Sequence, residues 1–387
     1  MSDSFSFRVT HRDSGARVGE LRTPHGSIHT PAFAPVGTRG AVKGVTNRDL
    51  LGLGTELILA NTYHLHLRPG ASLIAQLGGL HRFIGWRKPI LTDSGGYQVF
   101  SLGASRRIDE EGVSFRSHLD GSLHRLTPEN AVEIQARLGS DISMVFDECT
   151  SYPVSEEEAE LSMQRTLRWA QRGRDRFLSL ADGPASFDGE ITNPGQAQFG
   201  IVQGGVYDRL RERSAQKTVG LGFDGFAIGG LSVGEPVDEM YRIVSGTVAV
   251  LPEEQVRYLM GTGMPDDLVE CVARGIDLFD CVLPTRNGRN GQLLTRNGPL
   301  SIKQLRFAED PNPPDTACEC YTCQHYSRAY LRHLYVSNEI AASTLNTLHN
   351  IHFYLDTMRR MREAIAFGSF ERFRQRFHET FSRRSRF

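Results

Sequence analysis

The sequence predicts an α/β fold: a (β/α)8 barrel with hairpin insertions and a C-terminal subdomain appended to it. Three observations carry that expectation. Eight short apolar runs recur along the chain before Pro284, each giving way to a polar residue or a glycine. The runs are continuous rather than alternating, as parallel strands buried on both faces must be. Helical patterns lie between them, and eight β/α alternations suit a closed barrel.

The elements follow in order. The opening segment, to about Ile28, reads as strands outside the barrel. The eight runs are Pro31–Val36, Leu57–Ala60, Ile90–Leu91, Ile142–Phe146, Phe199–Val202, Phe226–Ile228, Val256–Met260 and Leu278–Leu283. Between the third and fourth, Val113–Leu126 alternates around Asp120-Gly121, a hairpin signal. Thr127-Pro128-Glu129 offers an N-cap followed by proline at the first helical position. Ser155 to Glu158 is a capping-box pattern opening a long helix to about Phe177, and Pro265-Asp266-Asp267 opens another. From about Arg286 the alternation stops, and Gln292–Ile302 reads as a hairpin around Asn297-Gly298. The expected division is therefore a barrel core with N-terminal strands over 1–285. A basic, helical, metal-binding subdomain over 286–387 packs on it.

Composition narrows the class. Of 387 residues, 39% are hydrophobic and 23% charged, which fits a soluble enzyme. No apolar stretch approaches the roughly 20 residues that span a bilayer. Met1 to Phe7 is polar and lacks a signal-peptide core, so a cytoplasmic location is expected. The net charge of −1 is unevenly spread. Arg328 to Phe387 holds eleven arginines and five acidic residues, and Arg286 to Lys303 holds three arginines, one lysine and no acid. Such a segment is either a phosphate-binding face or a solvated helix surface, and charge alone does not choose. Cys149, Cys271 and Cys281 sit singly in apolar segments, as small buried hydrophobes do.

Reactive groups of a (β/α)8 barrel gather at the C-terminal ends of its strands. Here those ends read Asn61, Asp93, Asp147, Gln203, Gly229-Gly230, Met260-Gly261 and Asp280. In Asp93-Ser94-Gly95-Gly96-Tyr97 the glycine pair lets backbone approach a ligand, Asp93 can exchange protons and Tyr97 offers a flat face. The plainer reading is a glycine-rich turn capped by Asp93. Asp280 stands in the apolar run Leu278–Leu283, where a carboxylate is costly unless used or paired. Two carboxylates facing an anomeric carbon can perform double displacement, one attacking and one handling protons. An ion pair with a nearby arginine is the alternative for Asp280. Arg286-Asn287-Gly288-Arg289 suits phosphate or base-edge contacts, or else forms a solvated loop. Cys318, Cys320 and Cys323 crowd into six residues, a strong metal signal that needs a fourth ligand. His349 and His352 both qualify by distance, while His325 follows Cys323 too closely to fold back easily. Three thiolates and an imidazole leave no open position, so the expected metal is a structural zinc.

Together these segments resemble the tRNA-guanine transglycosylases, or queuine tRNA-ribosyltransferases. The resemblance rests on TPAFAPVGT, NTYHLHLRPG, LTDSGGYQVFSL, FDEC, GIVQGG, IGGLSVGE, YLMGTG, FDCVLPTRNGRNG and CECYTC with the later His349, spanning about Thr30 to Asn350. It implies a barrel with a C-terminal zinc subdomain, one zinc per chain and no redox cofactor. It implies exchange of the wobble guanine of GUN anticodons for 7-aminomethyl-7-deazaguanine (preQ1) in queuosine biosynthesis. Asp280 would attack the ribose and hold the tRNA covalently, and Asp93 would serve the exchanging bases as general acid and base. Asp147, Gln203 and the Gly230-Leu231 backbone would read the base edge. Tyr97 and Met260 would sandwich its ring, with Ser94, Gly95, Gly96 and Gly229 completing the pocket. Gly261, Thr262, Gly263, Met264, Pro265, Asp266 and Asp267, with Thr285, Arg286, Asn287, Gly288 and Arg289, would contact the anticodon loop. The resemblance also selects His349 as the fourth zinc ligand and implies a homodimer. Val233 matches bacterial members, which insert preQ1, whereas Ser232 replaces the alanine of many of them; the queuine-inserting subtype is the alternative. More remote are a retaining glycoside hydrolase and a non-catalytic RNA-binding subunit. The first would want aromatic sugar platforms, yet Trp86 and Trp169 both lie away from the strand ends; the second would not need Asp280.

Overall fold

The computed structural model describes residues 5–101, 106–183 and 187–381. The start of the polar N-terminal segment (1–4), Leu102 of the resemblance segment and the last residues of the basic tail (382–387) lie outside the described residues. The strands β1 (Ser6–Asp13), β2 (Ala16–Thr23) and β3 (Gly26–Thr30) form an antiparallel sheet outside the barrel, as read. The next strands are β4 (Ala32–Gly37), β5 (Ile58–Ala60) and β6 (Ile90–Thr92). A second antiparallel sheet, β7 (Arg106–Ile108), β8 (Val113–Arg116) and β9 (Leu123–Leu126), interrupts them. The barrel then resumes with β10 (Ile142–Met144), β11 (Ala197–Val202), β12 (Gly225–Ile228), β13 (Val256–Leu259) and β14 (Leu278–Cys281). All eight apolar runs become its strands, and pairing of β14 with β4 closes it.

Burial on both faces explains the continuous runs. Every residue of β4, β5, β6, β10, β11, β12 and β13 is buried. The single exception in the eight strands is Asp280, half-buried in β14.

Helix starts follow their caps. Helix Pro128–Leu138 begins where Thr127 accepts from the Asn130 N–H and Asn130 caps the Thr127 N–H in return. Helix Glu156–Ala181 is capped by Ser155 and runs four residues beyond the expected Phe177. The β8–β9 hairpin forms around Asp120-Gly121, but β7 joins it as a third strand that its two arginines concealed.

The N-terminal end of the barrel is tied by two carboxylates. Asp277, just before β14, takes two hydrogen bonds from Arg17, at 2.9 and 2.5 Å. Asp141, just before β10, accepts from His25 Nδ1 at 2.8 Å, His81 Nε2 at 3.0 Å and the N–H groups of His25 and Ile90. Burial would raise the Asp141 pKa, but the two histidine hydrogen bonds outweigh it and hold it at about 2.

After β14 the helix Leu283–Arg289 leads to the hairpin β15 (Gln292–Thr295) and β16 (Gly298–Ser301). The helix covering the barrel beside β4 comes much later, at Ile340–Ala366. Its C-terminal half places Phe353, Tyr354, Met358 and Met361 in the barrel core, and the last helix, Phe370–Thr380, adds Phe370 and Phe377. Its N-terminal half packs Ala342 and Leu345 into a separate apolar cluster with Leu293, Ile302, Phe307 and Leu331. No helix among the described residues is long and apolar enough to cross a membrane.

Candidate active site

The C-terminal strand ends surround a cleft of about 630 Å³, lined by Asn61, Asp93, Ser94, Gly96, Tyr97, Asp147, Gln203, Gly229, Gly230, Leu231, Met260 and Asp280. Asp93 Oδ1 accepts the N–H groups of Thr62 (3.0 Å) and Gly95 (3.2 Å). Its Oδ2 accepts from Gln98 Nε2 at 2.9 Å and from the Asn61 amide. Burial lifts the Asp93 pKa to about 6 against these hydrogen bonds, and the Asp280 charge adds to the rise. Such a group changes protonation near neutral pH.

Asp280 is held differently. Its Oδ1 accepts both the Tyr258 hydroxyl at 2.5 Å and the Gly261 N–H at 2.8 Å. Burial raises its pKa, and those two hydrogen bonds oppose the rise. Among the described residues it has no ion pair, so the arginine alternative finds no support.

Asp147 and Gln203 form one polar unit, with Gln203 Nε2 donating to Asp147 Oδ2 at 2.7 Å. Ser94 donates to Asp147 Oδ1 at 3.5 Å. Burial pushes Asp147 up to about 6 against both hydrogen bonds. Glycine is required alongside them. A Cβ on Gly96 would lie 2.6 Å from Asp147 Oδ1, and one on Gly230, at φ +66°, 2.3 Å from Gln203 Oε1. Arg211 carries no sequence signal; its buried guanidinium donates to the carbonyls of Val202, Gly205 and Gly229 and fixes the base of this loop. Glu235 was missed as well; it accepts the N–H groups of Ser232 and Val233 at 2.5 and 3.0 Å. Tyr97 is 56% exposed and lines the cleft, as does half-buried Met260.

The residues expected to meet RNA divide by burial. Gly261, Met264 and Arg286 are exposed, while Asp266, Asp267, Asn287 and Arg289 are half-buried. Thr262, Gly263, Pro265, Thr285 and Gly288 are buried. The segment around Arg286 is helical rather than a loop. A Cβ on Gly288 would come within 2.9 Å of the Thr347 nitrogen, so that glycine packs this helix against Ile340–Ala366.

Remote from the cleft lining, Cys318, Cys320, Cys323 and His349 bring their ligand atoms within 4.8 Å of one another. His349 Nδ1 lies 3.8, 3.4 and 3.3 Å from the three sulfurs in turn. A tetrahedral metal with bonds of about 2.3 Å to sulfur and 2.0 Å to nitrogen has S···N edges of about 3.5 Å. His349 Nε2 lies 2.8 Å from the Leu294 carbonyl, and donating to it leaves Nδ1 free to face the thiols. The residues therefore fit a metal ion; neither His325 nor His352 is among the four, although His352 also hydrogen-bonds Cys318. Burial pushes the thiols of Cys149 and Cys281 up to about 12 and about 11, which makes them inert.

A closed parallel barrel with buried carboxylates round one cleft at its C-terminal end has the architecture of a (β/α)8 enzyme. Residues 13–383 match the family model described as queuine tRNA-ribosyltransferase. A relative of that name from Koribacter versatilis (strain Ellin345) is 53% identical over 368 residues, covering 95% of this chain and 96% of the relative. Another from Syntrophobacter fumaroxidans is 52% identical over 374 residues, covering 96% of each. One from Zymomonas mobilis is 50% identical over 381 residues, covering 98% of this chain and 96% of the relative. The chain belongs to the queuine tRNA-ribosyltransferase family, the tRNA-guanine transglycosylases.

Proposed function

We propose that the chain performs the family's pentosyl transfer by a covalent, ping-pong route, exchanging the wobble guanine of a GUN-anticodon tRNA for preQ1 in queuosine synthesis. The observation that carries this reading is the unequal setting of two carboxylates in one cleft. Both hydrogen bonds to Asp280 fall on Oδ1, leaving Oδ2 to attack the ribose anomeric carbon. The glycosidic bond breaks as the ester forms, and the departing guanine takes a proton from Asp93. The incoming base then returns a proton to Asp93 and displaces Asp280. Gln98, the one side-chain donor to Asp93 from a half-buried residue, is the partner that substrate displaces. Asp147 accepts from the donor edge of the base, Gln203 and the Gly230-Leu231 backbone complete its recognition, and Tyr97 and Met260 flank its ring. Arg286, Gly261 and Met264 are the exposed groups available to the anticodon loop.

The division of labour puts catalysis in 1–285 and metal binding in 286–387, with the helix Ile340–Ala366 shared between them. The metal is one structural zinc, which when bound ties Cys318, Cys320 and Cys323 to that helix. Val233 lines the cleft and favours preQ1 over the bulkier queuine. A cytoplasmic homodimer completes the reading.

Incubation with radiolabelled guanine and tRNA should put label into the RNA, with preQ1 competing more strongly than queuine. After denaturation, tRNA should remain attached to the peptide containing Asp280. An adduct on Asp93, or one that persists in Asp280→Asn, reverses the two roles. Elemental analysis should give about one zinc per chain. Full zinc occupancy in a Cys320→Ala, Cys323→Ala double variant would overturn the metal assignment.

A further inference from the structure

We propose that the cleft between the last two helices, Ile340–Ala366 and Phe370–Thr380, binds the phosphodiester backbone of tRNA outside the anticodon loop. The inference rests on the reading that tRNA is the substrate. Its starting point is the excess of arginine after Arg328. Much of that charge is already committed. Arg328 pairs with Asp310, Arg359 with Asp356 and Glu363, and Arg374 with Glu270 and Glu371. Arg362 donates to the carbonyls of His29 and Pro31.

Arg332 donates to the Gln304 carbonyl. Among the described residues Arg360, Arg372 and Arg376 remain, and with Arg296 from the β15–β16 turn they line a single cleft of about 570 Å³. Among the described residues, none of these four has a carboxylate at ion-pair distance. Glu363 also lines the cleft, but Arg359 holds it at 2.6 Å. The Arg360 guanidinium lies 5.3 Å from the centre of the Phe373 ring. Burial lowers the Arg360 pKa; the Asp356 charge opposes that, the Arg296 and Arg359 charges add to it, and Glu363 opposes it again. Like charges gathered with no carboxylate in direct contact repel one another, and an anion between them relieves the repulsion. Phe367, 84% exposed, adds a flat apolar face at the same cleft.

A backbone phosphate is the fitting occupant for two reasons. Guanidinium forks match phosphate oxygens, and the substrate is a polyanion far larger than the catalytic cleft. The position also suits it. Gly288, beside the cleft-lining Arg286, seats against Thr347, and Arg360 follows thirteen residues later on that helix. That separation is about 20 Å along an axis that runs down the flank of the barrel towards β1 and the start of β4, so an RNA whose loop enters the catalytic cleft would meet these arginines along that flank.

The test compares full-length tRNA with a minimal anticodon stem-loop, using Arg372→Glu, Arg376→Glu and Arg372→Lys, Arg376→Lys double variants. Binding is measured across a salt series together with KM and kcat for guanine exchange. For full-length tRNA the glutamate variant should bind about tenfold more weakly, and the slope of log K against log salt should be shallower by about 2. The rise should appear in KM rather than kcat. It should be much smaller for the stem-loop, and the lysine variant should retain most of the affinity. Equal losses on both RNAs, or an unchanged salt slope, would overturn the proposal. So would wild-type binding to phosphatidylglycerol vesicles that the glutamate variant loses while its tRNA affinity stays intact. If the wild type exchanges guanine in neither RNA, the functional reading fails instead, and the stem-loop control shows which of the two has failed.

Discussion

Buried aspartates at the two ends of the barrel can have opposite settings, as Asp141 and the pair Asp93 and Asp147 show. At the N-terminal end Asp141 is buried beneath two histidines and two backbone N–H groups, and its pKa sits at about 2. At the C-terminal end Asp93 and Asp147 are buried among amides and hydroxyls, and theirs stand at about 6. No histidine or arginine hydrogen-bonds to either of these two among the described residues. The first environment favours the carboxylate and ties the structure together. The second keeps the proton exchangeable at the expense of stability, as sites built for chemistry commonly do.

The sharpest way to break this contrast is to remove the nucleophile. Asp280→Asn should lower turnover by at least about 10⁴-fold and abolish the tRNA adduct while tRNA still binds. Retained turnover in the exchange assay would put the chemistry elsewhere.

Next in size is a pair of identical substitutions with opposite signs. Asp147→Asn removes a charge whose folded pKa lies above its unfolded value of about 3.8. The stabilising contribution of such a group is present below pH 3.8 and lost as pH rises through 6, so at pH 7 the ionised carboxylate is a burden. Neutralising it should raise unfolding stability by up to about 3 kcal/mol while impairing base exchange. Asp141→Asn removes a group whose folded pKa is depressed to about 2. Its contribution is present above pH 3.8 and lost as pH falls through 2, so the substitution should cost about 2 kcal/mol at pH 7. Urea unfolding at pH 7 measures both, and shifts of the same sign would erase the distinction between the two ends.

The smallest expected effect concerns recognition alone. Asp147→Ala should weaken base incorporation at least about tenfold, since it strands a polar partner of the ligand. An unchanged dependence on base concentration would remove Asp147 from the pocket.

What was legible in the sequence follows from where its signals lie. The eight barrel strands were readable because burial on both faces writes each as an unbroken apolar run. Asp280 stood out for the same reason, as the lone charge in such a run. Thr127 and Ser155 announced their helices because a cap is a local device. Arg211, Glu235 and the His25–His81–Asp141 cluster were invisible, since their partners are brought together only by folding. The buried Thr262, Thr285 and Gly288 show the reverse limit: a segment can face a ligand while alternate residues within it face the core. The count of arginines after Arg328 could not separate a phosphate-binding face from a solvated helix surface, because the sequence does not show that Arg328, Arg359 and Arg374 spend their charge on intramolecular partners.

The helix Ile340–Ala366 sets a schedule for synthesis. A chain emerging N-terminus first has made all eight barrel strands by Cys281, yet the helix that covers the barrel beside β4 is still nearly sixty residues away. Until it arrives, Phe33 lacks its neighbour Tyr354, whose ring centre ends 4.6 Å away. The apolar flank beside β4 can therefore be covered only after residue 340 has been made. The helix carries both His349 of the cysteine cluster and Phe353 of the barrel core, so that cluster and the covering of the barrel are completed by the same late stretch of chain.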